Sequence, residues 1–285
     1  MNPDWLIPNW PAPPHVKAVF TSRGIADTGF ASKSGVSQPP FDAFNLGDHV
    51  GDDANHVMAN RHMLQTLIGA KPIYLKQVHG TKVEPLQPKT PHGTEADACI
   101  TTHQKLACTI MVADCLPVLF TDMQGSFVAA AHVGWRGLAG GVLKQSISAI
   151  LEQKMALASV SYVYTATNII AWLGPCIGPS TFEVGAEVKA AFDETLPHSA
   201  SFFKSTVDAN TSKSTGNSTE KYLADLACLA RLNLKQLGIP ASQIYGNDST
   251  IDWCTVSNPS RYFSHRRNAV SLGSSGRMAG CIWLE

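Results

Sequence analysis

Three residues whose side chains bind metal ions each lie where an apolar run of the sequence gives way to a turn. His79 ends the predicted strand in "KQVHG", Cys115 lies in "ADCLPVLF", and His132 ends the predicted strand in "AAAHVGWRG". Junctions of this kind bring side chains together at one edge of a sheet. One thiolate and two imidazoles suit Zn²⁺, and three protein ligands leave a fourth position for water, which becomes a nucleophile near neutral pH. The sequence therefore predicts a zinc site, although the same donor set could hold one copper ion.

Each of the three residues also has a plainer interpretation when it is taken alone. A histidine at the end of a strand is more often a structural group, and a cysteine in an apolar run is more often a small buried hydrophobe. The spacing of the three matches no local metal motif. The prediction of a metal site therefore rests on their shared placement.

Two charged neighbours of these residues are candidates for catalysis. Asp114 directly precedes Cys115 and could move a proton as a general acid or base, or else brace the turn. Arg136 lies between Trp135 and Gly137, close to the expected start of a helix, where backbone amides favour an anion. A salt bridge within the turn is the alternative interpretation for Arg136.

Further polar residues lie in similar turns and are candidates for contacts to substrate or phosphate. These candidates are Asn45 in "FNLGDHVGDD", Arg61 in "NRHML", Gln77 just before His79, Cys176 in "GPCIGP", and Arg267 in "SHRRN". Arg266 and Arg277 also flank a Gly/Ser loop whose backbone donors could cradle phosphate. Helix caps, ion pairs and a solvated basic surface are the alternatives for this group.

The composition of the chain limits the class of partner. Among 285 residues, 22 Lys and Arg balance 22 Asp and Glu, which gives no basic surface for nucleic acid. No run approaches the roughly 18 apolar residues of a membrane span, and the first residues lack the features of a signal peptide. Seven cysteines without a CxxC pair suit reduced thiols. We expect a cytoplasmic protein that acts on a small molecule, and the sequence leaves its oligomeric state open.

The positions of prolines and polar residues predict the division of the chain. Residues 1–16 are rich in proline and predict an extended arm, and residues 17–285 contain no linker that would divide a single domain. Residues 204–219 are polar and predict a flexible surface loop. The expected fold is α/β (α+β), with a mixed β-sheet core flanked by helices.

The hydrophobic pattern predicts the elements of that fold. "GDDANHVMANRHMLQTLIG" and "EKYLADLACLARLNLKQLGI" predict helices, and the apolar runs from "ADACITT" to "SFVAAAHVG" predict strands that are covered on both faces. "PIYLKQVHG" and "TKVEPL" predict a strand pair around a tight turn at His79 and Gly80. "RRNAVSLGSSGRM" predicts a basic loop before a final buried strand.

Many motifs of the chain occur together and in order in a known family. "FNLGDHVGDD", "KQVHG", "ADA", "ADCLPVLF", "AAAHVGWRGLAGGVL", "GPCIGPSTFEVG" and "SHRRN…SGRMAGCIWL" resemble the bacterial YfiH/laccase-domain family. Its members are variously called multicopper polyphenol oxidase, purine nucleoside phosphorylase and peptidoglycan editing factor. The resemblance runs from about residue 17 to the C-terminus. It implies a single α/β domain whose metal ligands are His79, Cys115 and His132.

The activity that this resemblance implies is phosphorolysis of adenosine, inosine, guanosine and methylthioadenosine, together with deamination of adenosine. Deamination needs an activated water at C6 of the purine and a group, for which Asp114 is a candidate, that passes a proton to the leaving ammonia. Phosphorolysis breaks the N-glycosidic bond through a cation-like ribose, so phosphate must be held by arginines and backbone amides.

Several other activities compete with this interpretation. A copper polyphenol oxidase needs many paired histidines, and the ten histidines here include no H-x-H pair. A metal-free hydrolase would use Cys115 as the nucleophile and His132 as the base, which leaves His79 without a role. A zinc amidase that edits UDP-linked peptidoglycan precursors would need the same zinc site and the same arginines, so the sequence does not separate it from a phosphorylase. A non-enzymatic binding module has no need of the Cys/His₂ set.

Overall fold

In the computed structural model, which describes residues 4–24, 35–157, 163–206 and 220–285, two mixed β-sheets pack face to face and helices cover their outer sides. The strands in chain order are β1 (Val16–Phe20), β2 (Lys71–Tyr74), β3 (Val83–Pro85), β4 (Ala98–Thr101), β5 (Leu106–Val112), β6 (Leu116–Asp122), β7 (Val128–Val133), β8 (Ile169–Leu173), β9 (Glu183–Gly185), β10 (Phe203–Ser205), β11 (Lys221–Ala224), β12 (Ile244–Gly246) and β13 (Met278–Leu284).

The helices surround these sheets. In chain order they are α1 (Ala54–Ile68), α2 (Trp135–Gly140), α3 (Val142–Leu157), α4 (Ala186–Thr195), α5 (Leu226–Gln236) and α6 (His265–Leu272). Short 3₁₀ helices cover Ala166–Asn168, Ser199–Phe202, Ala241–Gln243 and Ile251–Trp253. No helix in the described ranges is long and apolar enough to cross a bilayer.

The strands form two large mixed sheets and one small antiparallel sheet. One sheet has the order β1-β13-β5-β2, in which only β2 and β5 run parallel. The other has the order β12-β8-β6-β7-β4-β3, with parallel pairs at its two edges and antiparallel pairs between them. Strands β9, β10 and β11 form a small antiparallel sheet. The expected mixed-sheet core with flanking helices is confirmed, and two larger sheets share that role.

Strand β5 explains how these sheets are packed. All seven of its residues are buried, and alternate side chains point to opposite faces. Cys108 and Ile110 join the core between the two large sheets, whereas Ala107 and Met111 join the core beneath α1. The near-continuous apolar run of this strand therefore reflects burial on both faces, as predicted.

Helix α1 is also confirmed, with both of its predicted ends. The Asp53 side chain accepts hydrogen bonds from the backbone N–H groups of Asn55 and His56 at the first turn. Gly69 ends the helix with φ of 64°, a conformation that glycine adopts readily. Leu64 and Ile68 are buried against the four-stranded sheet.

Three expectations about local structure are wrong. Strands β2 and β3 do not pair, because β2 pairs with β5 and β3 pairs with β4 in the other sheet. The segment before α5 is strand β11, and the helix begins only after Asp225 caps it. The basic segment that predicted a loop contains helix α6, whose Arg266 N–H donates to the Asp114 carboxylate from a distant part of the chain.

The two segments that were set apart from the domain are described only in part. Residues 4–15 run along the body of the protein, where the Trp5 ring packs 5.5 Å from that of Phe44 and Leu6 bridges to Phe20. Lys204 and Ser205 belong to strand β10, so the expected loop does not begin at residue 204. Residues 207–219 lie outside the described residues.

Candidate metal centre

The ends of two strands and a crossover segment bring His79, Cys115 and His132 together, and we call these residues the triad. His132 is next to last in β7, and Cys115 directly precedes β6, which pairs with β7 so that Pro117 lies opposite His132. His79 lies in the segment that crosses from β2 to β3, between the two large sheets. His79 therefore lies in a crossover between the two sheets and not in the tight turn of a hairpin, as the sequence predicted.

The geometry of the triad suits a tetrahedral metal ion. One ligand atom from each residue lies within 4.8 Å of the other two, and the Cys115 Sγ atom is 3.7 Å from His79 Nε2. Zinc–sulfur and zinc–nitrogen bonds at tetrahedral angles separate the two donor atoms by about 3.6 Å. The residues therefore fit a bound ion with one position left for another ligand, and they do not by themselves select zinc over copper.

Asp97, which sequence reasoning missed as a site residue, orients both histidines of the triad. Its Oδ1 atom lies 2.8 Å from His132 Nδ1 and accepts the backbone N–H of His79 at 2.9 Å. Its Oδ2 atom accepts the N–H groups of Val78 and Gly80 at 3.1 and 2.7 Å. A carboxylate that binds one imidazole nitrogen leaves the other free for a metal, which is a recurrent arrangement around protein metal sites.

The backbone around the triad is shaped for close approach. A Cβ atom on Gly134 would lie 2.8 Å from His79 Cδ2 and 3.1 Å from Cys115 Sγ, so a side chain has no room at this position. His79 and Asp114 have φ angles of 60° and 89°, a region that non-glycine residues occupy at a cost of about 1–3 kcal/mol. Strain of this kind is concentrated at functional sites.

The charges of the triad residues depend on one another. Burial alone would raise the pKa of the Cys115 thiol, but the adjacent His132 and His79 imidazoles lower it to about 6. Burial opposes the protonation of His132, but the Cys115 thiolate and the Asp97 carboxylate raise its pKa to about 9. Burial also opposes ionisation of Asp97, yet the hydrogen bonds from His132 and Gly80 lower its pKa. The thiolate that a metal requires is thus favoured at neutral pH.

The triad lies in the wall of a cavity of about 360 Å³. Apolar side chains of several elements form much of this cavity, namely Met111, Val112, Trp135, Ile177, Phe182 and Leu226. Two arginines, Arg266 and Arg277, and two further histidines, His49 and His265, are also present, and Asp114 is the carboxylate residue among the lining residues. Such a cavity suits a ligand with a flat apolar part and an anionic part.

Two residues predicted at the site line the cavity and also fix its walls. The Gln77 side chain donates to the Met111 carbonyl and accepts the Met111 N–H, both at 2.8 Å, so it ties the His79 segment to the end of β5. Both Asp114 carboxylate oxygens accept hydrogen bonds at 2.6 Å, one from the Thr255 hydroxyl and one from the Arg266 N–H. These contacts give Asp114 a positioning role.

Two arginines that the sequence predicted at the site, Arg61 and Arg136, are not among the residues that line the cavity. Arg136 is exposed, and its guanidinium stacks 4.4 Å above the Trp135 ring. Arg61 pairs with Asp48 at 3.1 Å and stacks 4.0 Å above the Tyr74 ring. In these positions neither guanidinium lines the cavity in which a ligand would contact the triad.

Arg267, one of the arginines predicted to contact substrate or phosphate, is committed to the protein backbone. Its Nη1 atom donates to the carbonyl groups of Thr255 and Val256 at 2.7 and 2.9 Å, and its Nη2 atom donates to that of Tyr262 at 2.7 Å. It is also absent from the cavity lining, whereas Arg266 and Arg277 are both present. A pattern of adjacent basic residues does not reveal which of them turns inward.

The remaining two candidates are buried away from the cavity. Asn45 is fully buried, and its side chain binds Gly47 and the N–H of Arg277. Cys176 is buried beside Asn247, and burial raises the pKa of its thiol far above the usual range. Both residues have structural contacts, and Asn45 acts on the cavity through Arg277.

A comparison with family models gives one match that covers most of the chain. The model of the multi-copper polyphenol oxidoreductase laccase family matches residues 28–285. Among curated relatives, a purine nucleoside phosphorylase named YfiH from Escherichia coli is 39% identical over 281 residues, which cover 98% of each protein. A purine nucleoside phosphorylase from Pseudomonas aeruginosa is 38% identical and covers 99% of this chain and 98% of its own.

Solved structures resemble the same fold over nearly the whole chain. A Neisseria meningitidis protein of the family model DUF152 is 39% identical, has a TM-score of 0.81 and covers 99% of both chains. A hypothetical protein named YfiH from Bacillus licheniformis is 26% identical with a TM-score of 0.78, and it covers 95% of this chain and 93% of its own. These similarities agree with the expected single α/β domain.

Proposed function

Because the chain belongs to the multi-copper polyphenol oxidoreductase laccase family, whose curated members include purine nucleoside phosphorylases named YfiH, we propose that it is a metal-dependent purine nucleoside phosphorylase. The observation that carries the proposal is the opening of the triad into a cavity with an apolar wall and basic side chains. The cavity of about 360 Å³ is near the lower end of the range of about 300–1,000 Å³ for small-molecule sites.

The proposed reaction divides between two parts of the cavity. Trp135 and Phe182 offer aromatic surfaces against which a purine base can pack. An arginine of the cavity lining would hold the negative charge of phosphate as the ribose becomes cation-like. The triad would hold the metal, which supplies a Lewis acid when it is bound.

We further propose that the metal is zinc and that the substrates are adenosine, inosine, guanosine and methylthioadenosine. Deamination of adenosine at the same site is a second proposed activity, since it uses the same donor set. Asp114 is the candidate for the proton transfer to the leaving ammonia. Thr255 and Arg266 already donate hydrogen bonds to its two oxygens, which makes this carboxylate less available for that transfer. Free thiols at all seven cysteines also support our proposal of a cytoplasmic enzyme.

The structure favours a single-metal enzyme over a multicopper oxidase. Within the described part of the chain, the triad is the one group of three or more His, Cys, Asp or Glu residues that could hold a metal. A multicopper relay needs several such groups. One contact supports the metal-free hydrolase, namely the distance of 3.7 Å between His79 Nε2 and Cys115 Sγ. Measurement of the metal content of the native protein distinguishes this hydrolase from the metal-dependent enzyme.

The test measures the metal content and nucleoside turnover of the native protein, of His132→Ala and of His62→Ala, an exposed histidine on α1 that serves as the matched control. We expect about one zinc ion per chain in the native protein and the control, with phosphate-dependent formation of free base and ribose-1-phosphate. His132→Ala should lose both.

Two results would replace the proposal with one of its rivals. An active native protein without metal, whose activity is lost in Cys115→Ala, would establish the cysteine hydrolase. Bound zinc without any turnover of nucleosides would move the activity to the amide bond of a UDP-linked cell-wall precursor.

A further inference from the structure

Two motifs that are far apart in the sequence, "FNLG" and "SGRM", meet at Arg277. The Asn45 Oδ1 atom accepts the N–H groups of Arg277 and Gly47 at 2.8 and 2.9 Å. The N–H of Leu46 donates to the carbonyl of Arg277 at 3.1 Å. The buried Asn45 therefore fixes the backbone from which the Arg277 side chain extends.

Gly47 fixes the first part of that side chain. A Cβ atom at position 47 would lie 2.7 Å from Arg277 Cγ and 3.1 Å from Arg277 Cβ. These atoms are the beginning of the arginine chain rather than its flexible end, so a larger residue at position 47 would displace Arg277. The turn from Asn45 to Gly47 therefore fixes both the backbone and the first side-chain atoms of Arg277.

The Arg277 guanidinium keeps one edge free. Its Nη1 atom donates to the carbonyl groups of Ser275 and Gly276 at 2.7 and 3.1 Å. Within the described residues, its Nε and Nη2 atoms donate no hydrogen bond and no carboxylate forms an ion pair with it. Neither atom is among the buried polar atoms without a partner, so both reach open space, and Arg277 lines the cavity.

Of the residues that the structure describes, the one carboxylate of the cavity lining forms no ion pair with Arg277. Asp114, the carboxylate residue in the lining, already accepts hydrogen bonds at both oxygens from Thr255 and Arg266. The Arg266 guanidinium is committed to the carbonyl groups of Thr181 and Glu183 at 3.3 and 3.0 Å. A guanidinium with two parallel free donors is well matched to two oxygens of one phosphate group.

We propose that Arg277 binds the phosphate that attacks the nucleoside, and that Asn45 and Gly47 are positioning residues that hold it there. This inference rests on the proposed function in one respect, namely that inorganic phosphate is the second substrate. The diphosphate of a nucleotide-linked ligand presents the same oxyanion chemistry, so the test includes UDP as a separate probe.

The experiment measures binding of inorganic phosphate to the metal-loaded protein by titration calorimetry, independently of turnover. Arg277→Gln is expected to weaken phosphate binding about 10- to 100-fold, because two charge-assisted hydrogen bonds are lost. Gly47→Ala should weaken it in the same direction although the arginine is retained. Arg261→Gln, which removes an exposed arginine stacked on Tyr262, is the matched control and should bind as the native protein does.

Kinetics at saturating inosine provide the second measurement. The KM for phosphate should rise about 10- to 100-fold in Arg277→Gln, while the KM for inosine changes little. Arg277→Lys should recover only part of the loss, since a lysine keeps the charge without the paired donors. Thermal unfolding of each variant monitors folding, and Gly47→Ala and Arg277→Lys decide the question if Arg277→Gln does not fold.

The outcomes separate the subsite from the proposed function. Native phosphate affinity or native KM for phosphate in Arg277→Gln would overturn the subsite, even if nucleosides are cleaved. Loss of phosphate binding in Arg277→Gln would support the subsite, even if the native protein cleaves no nucleoside and the proposed function fails. Binding of UDP without binding of inorganic phosphate to the native protein would overturn phosphate as the ligand.

Discussion

The Asp97 carboxylate oxygen that lies 2.8 Å from His132 Nδ1 also accepts the backbone N–H of His79. One side chain thus orients a histidine of the six-stranded sheet and a histidine of the crossover that leaves β2. The two histidine rings lie 4.8 Å apart between centroids, at an interplanar angle of 65°. Their relative placement depends on a residue that binds no metal itself.

Replacing Asp97 with asparagine should therefore weaken metal binding. The asparagine amide group can accept at only one of its two terminal atoms, so it cannot receive the four donors that surround Asp97. The expected loss of zinc affinity is about 10- to 100-fold, as for other residues that support metal ligands. Competition with a chromophoric chelator measures it. Asp252→Asn, at an exposed position, is the control, and equal affinity in the two variants would contradict the role given to Asp97.

Gly134→Ala should disturb the triad by steric contact alone. The added methyl group would press on the His79 ring at 2.8 Å and on Cys115 Sγ at 3.1 Å. We expect a large loss of bound metal in this variant, measured as metal per chain after dialysis. Gly140→Ala adds the same group to α2, where it meets only the Thr81 side chain at 3.3 Å, and it should retain its metal. Full metal content in Gly134→Ala would show that the wall beside the triad is not rigid.

The apparent affinity for zinc should rise with pH. The pKa of His132 is about 9, so at neutral pH this residue must lose a proton before it can bind an ion. Below the Cys115 pKa of about 6, a second proton competes and the affinity should fall more steeply with decreasing pH. Chelator competition across this pH range measures both slopes. The steeper part should be absent in Cys115→Ser, and an affinity that is constant from pH 6 to 9 would contradict the assigned charges.

Arg267→Gln should act on stability and leave phosphate binding unchanged. The substitution removes donors from the carbonyl groups of Thr255, Val256 and Tyr262. The free energy of unfolding should fall by about 1–3 kcal/mol, because partly buried acceptors lose their partners. Denaturant unfolding measures this change. A raised KM for phosphate in a stably folded Arg267→Gln protein would return this arginine to the substrate site.

The donor residues of the triad could be predicted from sequence because each lies at the border between an apolar run and a turn and has an unusual side chain for that place. Asp97 could not, since "ADA" resembles the start of a buried strand and the partners of the carboxylate come from other segments. The only signal in the sequence is a charged residue within an apolar context. Its role follows from the pairing of β4 with β7, which sequence periodicity does not reveal.

The basic segment near the C-terminus shows the same limit. Helix α6 is short and its residues are on average strongly polar, and its first turn is held by Asp114, which lies about 150 positions earlier in the chain. The choice among Arg266, Arg267 and Arg277 likewise depends on which carbonyl groups surround each guanidinium. Tertiary contacts decide both features, whereas α1 was predicted well because its caps and apolar face are local.

The central position of β13 has a consequence for biosynthesis. This strand, which pairs with both β1 and β5, follows Arg277 directly. While the ribosome is still translating the preceding helix α6, β1 has no strand beside it and β5 lacks one of its two neighbours. The nascent chain therefore exposes unpaired sheet edges until residues 278–284 emerge from the exit tunnel. The four-stranded sheet can form only after Arg277, the arginine proposed to hold phosphate, has been synthesised. A partly synthesised chain therefore contains His79, Cys115 and His132 before it can form the complete cavity.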